Sequence, residues 1–363
     1  MSDEYIQAPG EAARLVKPDA RVGVLVVEHK TTSADIGEGS NYWERLILDA
    51  QVSNYMEGVR SKGYEPRGVL YDVIRKVKME QQLATPVESR KYTKATAKEP
   101  SRLYANQRDR DETLDEYRQR VRDDIGAHPD AYYRRGVIRR LKGEEKNAAR
   151  NVWMVARSIR ESTRLNQFPQ NTNACYSYQS FCEYWGVCSG KASITDDSLF
   201  RTSGEHEELP ALESTKRALP LVTTSSAGCF LECPKKYEYR YVMRRRGHTS
   251  SLALRVGTVV HHGLEVWWTT TDRDQALPLA IEAMRAMGTQ DESMALDAFE
   301  MVRCEELLRG YDARWHDAPF VVLGAEIEFT APLINPETGH ASKTWQRGGK
   351  LDALILEPQE NPV

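Results

Sequence analysis

A short apolar stretch that ends in charged residues places the strongest constraint on the fold of this chain. Residues 22–32, VGVLVVEHKTT, are rich in valine and predict a buried β-strand. A second apolar stretch, GGKLDALILEP at 348–358, predicts another strand and carries Asp352. A carboxylate within an apolar strand costs free energy unless it is paired or binds a metal ion. Glu28 and Asp352 at adjacent strand ends would form a hard oxygen site suited to Mg²⁺ or Mn²⁺.

Glu28 and Lys30 are two residues apart, so both side chains point to the same face of the first strand. An ammonium beside a metal ion can orient or help deprotonate a water molecule and can steady the charge of a phosphate. The Glu-x-Lys pattern is weak by itself, because it more often marks an ion pair that faces solvent. Its meaning here depends on the rest of the chain.

The bulk properties exclude several classes of protein. The 363 residues allow one large α/β domain with an elaborated helical part, or two modest domains. No run of 18 apolar residues is present, and the polar N-terminus lacks the apolar core of a signal peptide, so we expect a cytoplasmic protein without a membrane span. Lys+Arg number 50 against 53 Asp+Glu, so contacts with nucleic acid would depend on local basic patches.

Periodicity predicts the order of the elements. A helix at 42–64 lies between the first strand and a strand at 66–77, an order that indicates a sheet with a packed helix. Residues 80–110 are polar and predict a long loop. The remaining predictions are a charged helical region at 111–165 that is broken near 126–129, helices within 226–246, 251–270 and 275–315, and strands at 321–333 and 348–358.

Several short motifs accompany these elements. Residues 256–268, VGTVVHHGLEVWW, contain G-T-x-x-H-x-x-L-E, and residues 229–245 contain C-P-x-x-Y-x-x-x-Y. Gln51 and Tyr55 are one helical turn apart, and Asp352 ends a G-x-L-D string. Together these strings resemble the RecB/AddB-like PD-(D/E)xK nucleases and their CRISPR-associated and phage relatives. The resemblance covers roughly 225–363 and 22–77.

The resemblance implies a fold and a set of roles. The fold would be α/β, a restriction-endonuclease-like mixed sheet flanked by helices, with a helical extension that bears cysteines. Lys30 would be the catalytic lysine, and Gln51 and Tyr55 would line the site, contacting DNA or ordering Lys30. The implied metal ligands are His261, Asp352, Glu28 and the backbone carbonyl of His29. Glu326 matches a recurrent acidic position, although Glu328 faces the same way, and His262 is the alternative to His261.

The motifs stand in a different order from that of the family. There the C-P motif, the histidine and the aspartate precede Glu-x-Lys, whereas here Glu-x-Lys comes first. The order is restored when the chain is read as a ring, so the resemblance implies a circular permutant in which Asp352 and Glu28 meet within one chain. The corresponding segments are a flexible leader at 1–20, the second half of a nuclease core at 21–78, a helical extension with cysteines at 79–190, a linker at 191–222 and the first half of the core at 223–363.

Three of the six cysteines lie in one 14-residue window, 175–188. Without a secretory signal disulfides are not expected, so the clustering favours a metal or a cluster. Cys175, Cys182 and Cys188 together with Cys233 resemble the [4Fe-4S] staple of AddB-type nucleases, although C-x6-C replaces the usual C-x2-C. Zinc and plain buried thiols are the alternatives. Cys229 could substitute for Cys233, and Cys304 is expected in the core.

Two basic runs are either solvated faces or phosphate contacts. One contains Arg244, Arg245 and Arg246, and the other spans 134–142. Nothing indicates readout of bases, and no Walker A motif is present, so a helicase or recombination partner would act in trans. The expected function is a metal-dependent DNA exonuclease of phage or bacterial recombination and repair. The alternative is a non-catalytic DNA-binding or scaffold protein that keeps the fold.

Overall fold

The computed structural model describes residues 23–95, 100–177, 180–213, 219–248, 251–290, 294–318 and 320–356. The strands are β1 (Val24–Thr32), β2 (Pro66–Arg75), β3 (Tyr133–Ile138), β4 (Tyr176–Ser177), β5 (Ser180–Phe181), β6 (Phe200–Thr202), β7 (Leu221–Val222), β8 (Arg245–Gly247), β9 (Val321–Ile334) and β10 (Ala341–Leu356). The helices are α1 (Asn41–Leu46), α2 (Ala50–Ser61), α3 (Leu114–Ala127), α4 (Pro129–Tyr132), α5 (Lys142–Leu165), α6 (Trp185–Cys188), α7 (Pro210–Glu213), α8 (Thr224–Glu232), α9 (Pro234–Tyr237), α10 (Leu252–Thr269), α11 (Arg273–Gln290) and α12 (Ala298–Trp315).

Among the described residues, six strands form one mixed sheet. Its order is β3-β2-β1-β10-β7, and β9 also pairs with β10. β1 is parallel to β2 and antiparallel to β10, with Val24 opposite Leu356 and Val27 opposite Ala353. The prediction that the Glu-x-Lys strand and the Asp352 strand are neighbours is confirmed.

Helices cover both faces of this sheet, as predicted. On one face α3, α10, α11 and α12 enclose a core that includes Val27, Leu264 and Leu308. On the other face α2 contributes Val52, Tyr55, Met56 and Val59 to a second core. β1 is buried on both sides, which explains its continuous run of valine and leucine. None of the described helices has the length and apolarity needed to span a membrane.

The close approach of α2 to the hairpin of β9 and β10 depends on two glycines. A Cβ atom added at Gly58 would lie 2.6 Å from the Phe329 ring, and one added at Gly349 would lie 2.8 Å from the same ring. The Asn54 side chain donates to the Gly348 carbonyl over 3.3 Å. α2 therefore lies tightly against β10, the strand that carries Asp352.

A buried ionic network joins β1, β2, β3 and α12. The Asp72 carboxylate on β2 accepts from Arg135 Nε at 3.0 Å and Nη2 at 3.2 Å, and His29 Nδ1 lies 3.3 Å away. The Tyr311 hydroxyl donates to the same carboxylate. Burial alone would raise the pKa of Asp72, but Arg135 and His29 hold it well below its usual range. Arg135, predicted within a basic run, is thus a buried partner of Asp72 and takes no part in a surface patch.

Some predicted elements differ from the observed ones. The helix predicted at 42–64 is divided into α1 and α2, because the Asp49 carboxylate accepts from the Gln51 amide and begins a new helix. The helical region predicted at 111–165 contains β3, whose polar edge sequence forms a strand by pairing with β2. The predicted leader at 1–20 lies outside the described residues.

The segment predicted as a linker, 191–222, contains ordered structure. β6 pairs with β8, β7 pairs with β10, and α7 lies between β6 and β7. The amides of Ala211 and Leu212 donate to the Glu328 carboxylate over 3.0 and 2.7 Å. The described part of this segment is therefore attached to the sheet, which its Ser-, Thr-, Gly- and Glu-rich composition did not indicate.

Candidate metal centre and catalytic cleft

A cleft of about 610 Å³ opens where β1, α2, α10 and β10 meet. Among the side chains that line it are those predicted from both ends of the sequence: Glu28, Lys30, Gln51, Tyr55, His261 and Asp352. The structure thus brings together, in one chain, residues from 28–55 and from 261–352.

Asp352 lies at the base of this cleft and is buried. Its Oδ2 atom accepts from the His29 backbone amide over 2.8 Å and lies 3.3 Å from His261 Nε2. Burial opposes ionisation of Asp352, but His261 and the His29 amide outweigh it and hold the pKa of this carboxyl well below its usual range. Asp352 is therefore ionised at neutral pH and available as a ligand.

Three side chains converge as a candidate ligand set. His261, Glu326 and Asp352 each offer a ligating atom, and these atoms lie within 4.8 Å of one another. His261 Nε2 is 4.0 Å from Glu326 Oε1. This set of one imidazole and two carboxylates suits a divalent cation such as Mn²⁺ or Mg²⁺.

The backbone conformation of Glu326 sets it apart from its neighbour in the motif. Its φ of 52° lies in the left-handed region, which costs a residue other than glycine about 1–2 kcal/mol. Strain of this kind concentrates at functional sites. Glu328, the alternative left open by the sequence, instead accepts from the amides of α7. The geometry therefore favours Glu326.

Glu28 supplies a further carboxylate beside this set. Its side chain is buried, one oxygen contacts Lys30 Nζ, and the other oxygen has no hydrogen-bond partner within the described part of the chain. Burial, and then repulsion from Asp352, raise the pKa of Glu28 to about 7. A buried, unpartnered carboxylate oxygen next to a second carboxylate is destabilising without a cation. These residues therefore fit a divalent metal ion.

Lys30 is held by α2 as well as by Glu28. Its Nζ donates to Gln51 Oε1 over 2.8 Å, and the Gln51 amide group donates to the Tyr55 hydroxyl. Burial would lower the pKa of Lys30, but the carboxylates of Glu28 and Asp352 raise it. Of the two roles left open for Gln51 and Tyr55, these contacts favour ordering Lys30, which stays an ammonium.

The two adjacent histidines of α10 have different surroundings. His261 faces Asp352, whereas His262 Nδ1 lies 3.0 Å from Glu265 on the same helix. The His29 ring lies against Asp72 and the Trp268 ring, whose centroid is 5.4 Å away. Ligation by the His29 backbone carbonyl remains a prediction.

The predicted basic run at 244–246 is largely occupied within the protein. The Arg245 guanidinium donates to Asp197 over 2.7 Å and to the carbonyls of Ile194 and Phe200 over 3.0 and 2.9 Å. These bonds clamp the segment before β6 to β8, so they count against the predicted DNA contact of Arg245. Arg244 is exposed, and its contact with DNA stays a prediction.

The four cysteines predicted as a group do lie together. Cys175, Cys182, Cys188 and Cys233 line one small cavity with Lys236. Cys229 packs instead in a neighbouring apolar cluster, and Cys304 is fully buried in the main core, as predicted. All six cysteines are free of disulfides. The cavity is thus lined by Cys233 and not by Cys229, and ligation by these thiols stays a prediction.

The match to a known family covers only part of the candidate site. Residues 222–363 match the PD-(D/E)XK nuclease superfamily. This segment carries His261, Glu326 and Asp352, while Glu28 and Lys30 lie outside it. The mixed sheet with helices on both faces is consistent with the restriction-endonuclease-like fold, and the match points to metal-dependent phosphodiester hydrolysis. Neither curated proteins nor solved structures gave a significant match.

Sequence reasoning missed two charged residues at this centre. Lys350, two positions before Asp352 and so on the same strand face, forms an ion pair with Glu326. Asp72 fixes the ring of His29. The signal that identified Glu28 also marks Asp72, because it is a carboxylate within an apolar strand, PRGVLYDVIR.

We expect Mn²⁺ binding to depend on His261 and on pH. Because Asp352 outweighs burial and raises the pKa of His261 to about 9, the metal-free protein carries a proton there at neutral pH, which Mn²⁺ must displace. Calorimetric affinity for Mn²⁺ should therefore rise from pH 6 to 9 in the wild type. His261→Ala should weaken binding at pH 8 at least about tenfold and reduce this rise to the part that the ionisation of Glu28 contributes. His262→Ala is the matched control and should behave as the wild type; equal effects of the two would refute the assignment.

Proposed function

We propose that this protein is a metal-dependent DNA nuclease. The observation that carries the proposal is the convergence of Glu28, Asp352 and His261 around one cleft, with Lys30 beside them. Two buried carboxylates, an imidazole that can lose its proton and an adjacent ammonium form a site for hydrolysis of a phosphodiester. The superfamily match of 222–363 supports the same chemistry.

Each residue has a proposed role in this reaction. His261, Asp352, Glu326 and Glu28 would hold the metal, with the His29 carbonyl as a further ligand. A bound Mg²⁺ or Mn²⁺ would supply Lewis acidity and a water of lowered pKa. Since Lys30 stays charged, it orients the attacking water and stabilises the negative charge that develops on the phosphate. Gln51 and Tyr55 hold the lysine in place.

We propose further that the substrate is DNA bound without regard to sequence, at ends or in single strands, and that cleavage is exonucleolytic. The resemblance to recombination nucleases supports this role in phage or bacterial DNA processing, with any helicase motor acting in trans. A non-catalytic scaffold is the competing function. The retention of His261, Asp352, Glu28 and Lys30 in contact geometry supports catalysis over that alternative.

The order of the motifs supports a circular permutation of the family fold. β1 and β10 pair antiparallel, as strands joined by a hairpin would, yet they stand at opposite ends of the described chain. Val24 lies opposite Leu356, so a short connection between these two residues would restore the family order. We propose that the ancestral ends lay within 191–222.

The cysteine cavity supports an iron–sulfur cluster. Four thiols suit a [4Fe-4S] cluster or zinc, and burial raises the pKa of both Cys182 and Cys188, which a cationic centre would offset. Zinc would use the same four thiols, and the resemblance to the AddB-type staple favours the cluster. Such a cluster would tie 175–188 to Cys233.

Nuclease activity should depend on Lys30 and Asp352. We expect Lys30→Ala and Asp352→Ala to lower Mn²⁺-dependent DNA degradation at least about 100-fold, since each removes charge that acts in the transition state. Lys62→Ala, an exposed lysine just after α2, is the control and should keep full activity. Unchanged rates in both cleft variants would refute the proposed site.

A chain with relocated ends should test the permutation. Joining Leu356 to Gly23 by a short polar linker and opening the chain between the exposed Gly190 and Lys191 should leave the fold and the nuclease activity intact, because no described hydrogen-bonded strand pair is cut. Circular dichroism and the DNA degradation assay report the outcome. A soluble but unfolded product would count against the permutation.

Protein purified without oxygen should contain iron and absorb near 400 nm. Cys233→Ser should lose most of both signals, because Cys233 lines the cavity with the three other thiols. Cys304→Ser, a buried cysteine in the main core, is the matched control and should keep them. Zinc in place of iron, or no metal at all, would contradict the cluster.

A further inference from the structure

α5 carries an exposed basic stripe, which we define as Lys146, Arg150, Trp153, Arg157, Arg160 and Arg164. These residues recur at intervals of three or four, so on an α-helix they fall within an arc of about 80° and extend over about 27 Å. The five cations are exposed, and Trp153 is half-buried. The opposite face of the helix packs Val155, Ala156 and Ile159 into a core.

Most of these cations have no acidic partner. Arg164 pairs with Glu161, whose charge Arg160 also stabilises. Within the described residues, Lys146, Arg150, Arg157 and Arg160 have no carboxylate within 4.0 Å. Four unpaired cations in a row along one helix produce a positive potential that the net charge of −3 conceals.

An aromatic cavity adjoins the stripe. Arg157 and Arg160 line it together with Trp153 from α5 and with Trp345 and Thr344 from β10. Both tryptophans pack against the apolar cluster below, so they are held in place. A tryptophan beside two guanidinium groups offers stacking for a flat ring and charge for the phosphates attached to it.

The helix that carries the stripe contacts two helices of the catalytic cleft. α5 packs on α8, and Thr224 and Ser225 in the first turn of α8 line the cleft. At the other side Arg60 of α2 binds Glu145 near the start of α5. α5 therefore packs directly on the helix that forms one wall of the cleft.

We infer that this stripe binds single-stranded DNA, with the phosphates along the cations and an unpaired base at Trp153 and Trp345. The inference rests on the proposed nuclease function and names the form of its substrate. The cations alone would bind a duplex or an acidic protein equally well. The aromatic cavity favours single-stranded DNA over these alternatives, since a base is free to stack on a side chain only when it is unpaired.

The first test removes three charges. In EDTA, the affinity for a labelled oligothymidine is measured by fluorescence anisotropy as a function of salt. Arg150→Gln/Arg157→Gln/Arg160→Gln should weaken binding at least tenfold. Because each phosphate contact contributes about 0.7 to the slope of log affinity against log salt, this variant should also reduce the slope by about 2. Lys91→Gln/Lys94→Gln/Arg102→Gln removes the same charge from exposed positions elsewhere and should keep affinity and slope. Equal losses in the two triple variants would overturn the inference.

The second test addresses the base. Trp153→Leu keeps an apolar side chain but removes the stacking surface, and it should weaken oligothymidine binding by about 5- to 100-fold. In the wild type, oligothymidine should quench tryptophan fluorescence, and less so in this variant. A blunt duplex or polyglutamate that competes as well as oligothymidine would overturn the inference in favour of a duplex or an acidic protein.

Failure here is distinguishable from failure of the proposed function. Hydrolysis of bis(p-nitrophenyl) phosphate requires the cleft alone, so the stripe variant should hydrolyse it at the wild-type rate. Unchanged oligothymidine binding in that variant, with hydrolysis intact, would refute the stripe but not the nuclease. Loss of binding in a protein that hydrolyses nothing would support the stripe and refute the nuclease.

Discussion

The antiparallel pairing of β1 with β10 is the interaction on which the rest of the candidate site depends. It places the His29 amide against the Asp352 carboxylate and brings Glu28 next to the same group. Neither strand could bury its carboxylate alone at acceptable cost, because an unpaired buried charge is strongly destabilising. α10 adds His261 from one face of the sheet, and α2 adds the residues that hold Lys30 from the other.

The titratable side chains at this centre differ in their protonation states. Asp352 is ionised because His261 and the His29 amide compensate its burial, while the pKa of Glu28 rises to about 7. His261 remains protonated in the metal-free protein. In the metal-free protein the proton on this imidazole supplies positive charge at the centre. A divalent cation can supply that charge instead, and no further acidic side chains are needed. Behind it, the Asp72–Arg135 pair keeps the His29 ring out of the ligand set.

The sequence reveals those features that have a local signature. Carboxylates in apolar strands pointed to Glu28 and Asp352, the G-T-x-x-H motif pointed to His261, and clustering grouped the cysteines. It failed where long-range contacts decide the outcome. β3 forms because β2 offers it an edge, and 191–222 is ordered because β10, β8 and Glu328 bind parts of it. The sequence predicts Arg135 and Arg245 as surface cations, yet buried or neighbouring acidic side chains and backbone carbonyls bind them. Glu326 and Glu328 are equivalent in the pattern, and only their contacts and the left-handed φ of Glu326 separate them.

The hydrogen bond between His29 and Asp352 also has a consequence for how the protein is made. It joins residues 323 positions apart, a very long loop to close during folding. Non-local strand pairing slows folding, so this pairing is expected among the later events. During synthesis β1 leaves the ribosome before β10, so the edge of β1 that pairs with β10 stays unpaired until β10 follows. The candidate metal centre therefore cannot assemble before both β1 and β10 have been synthesised.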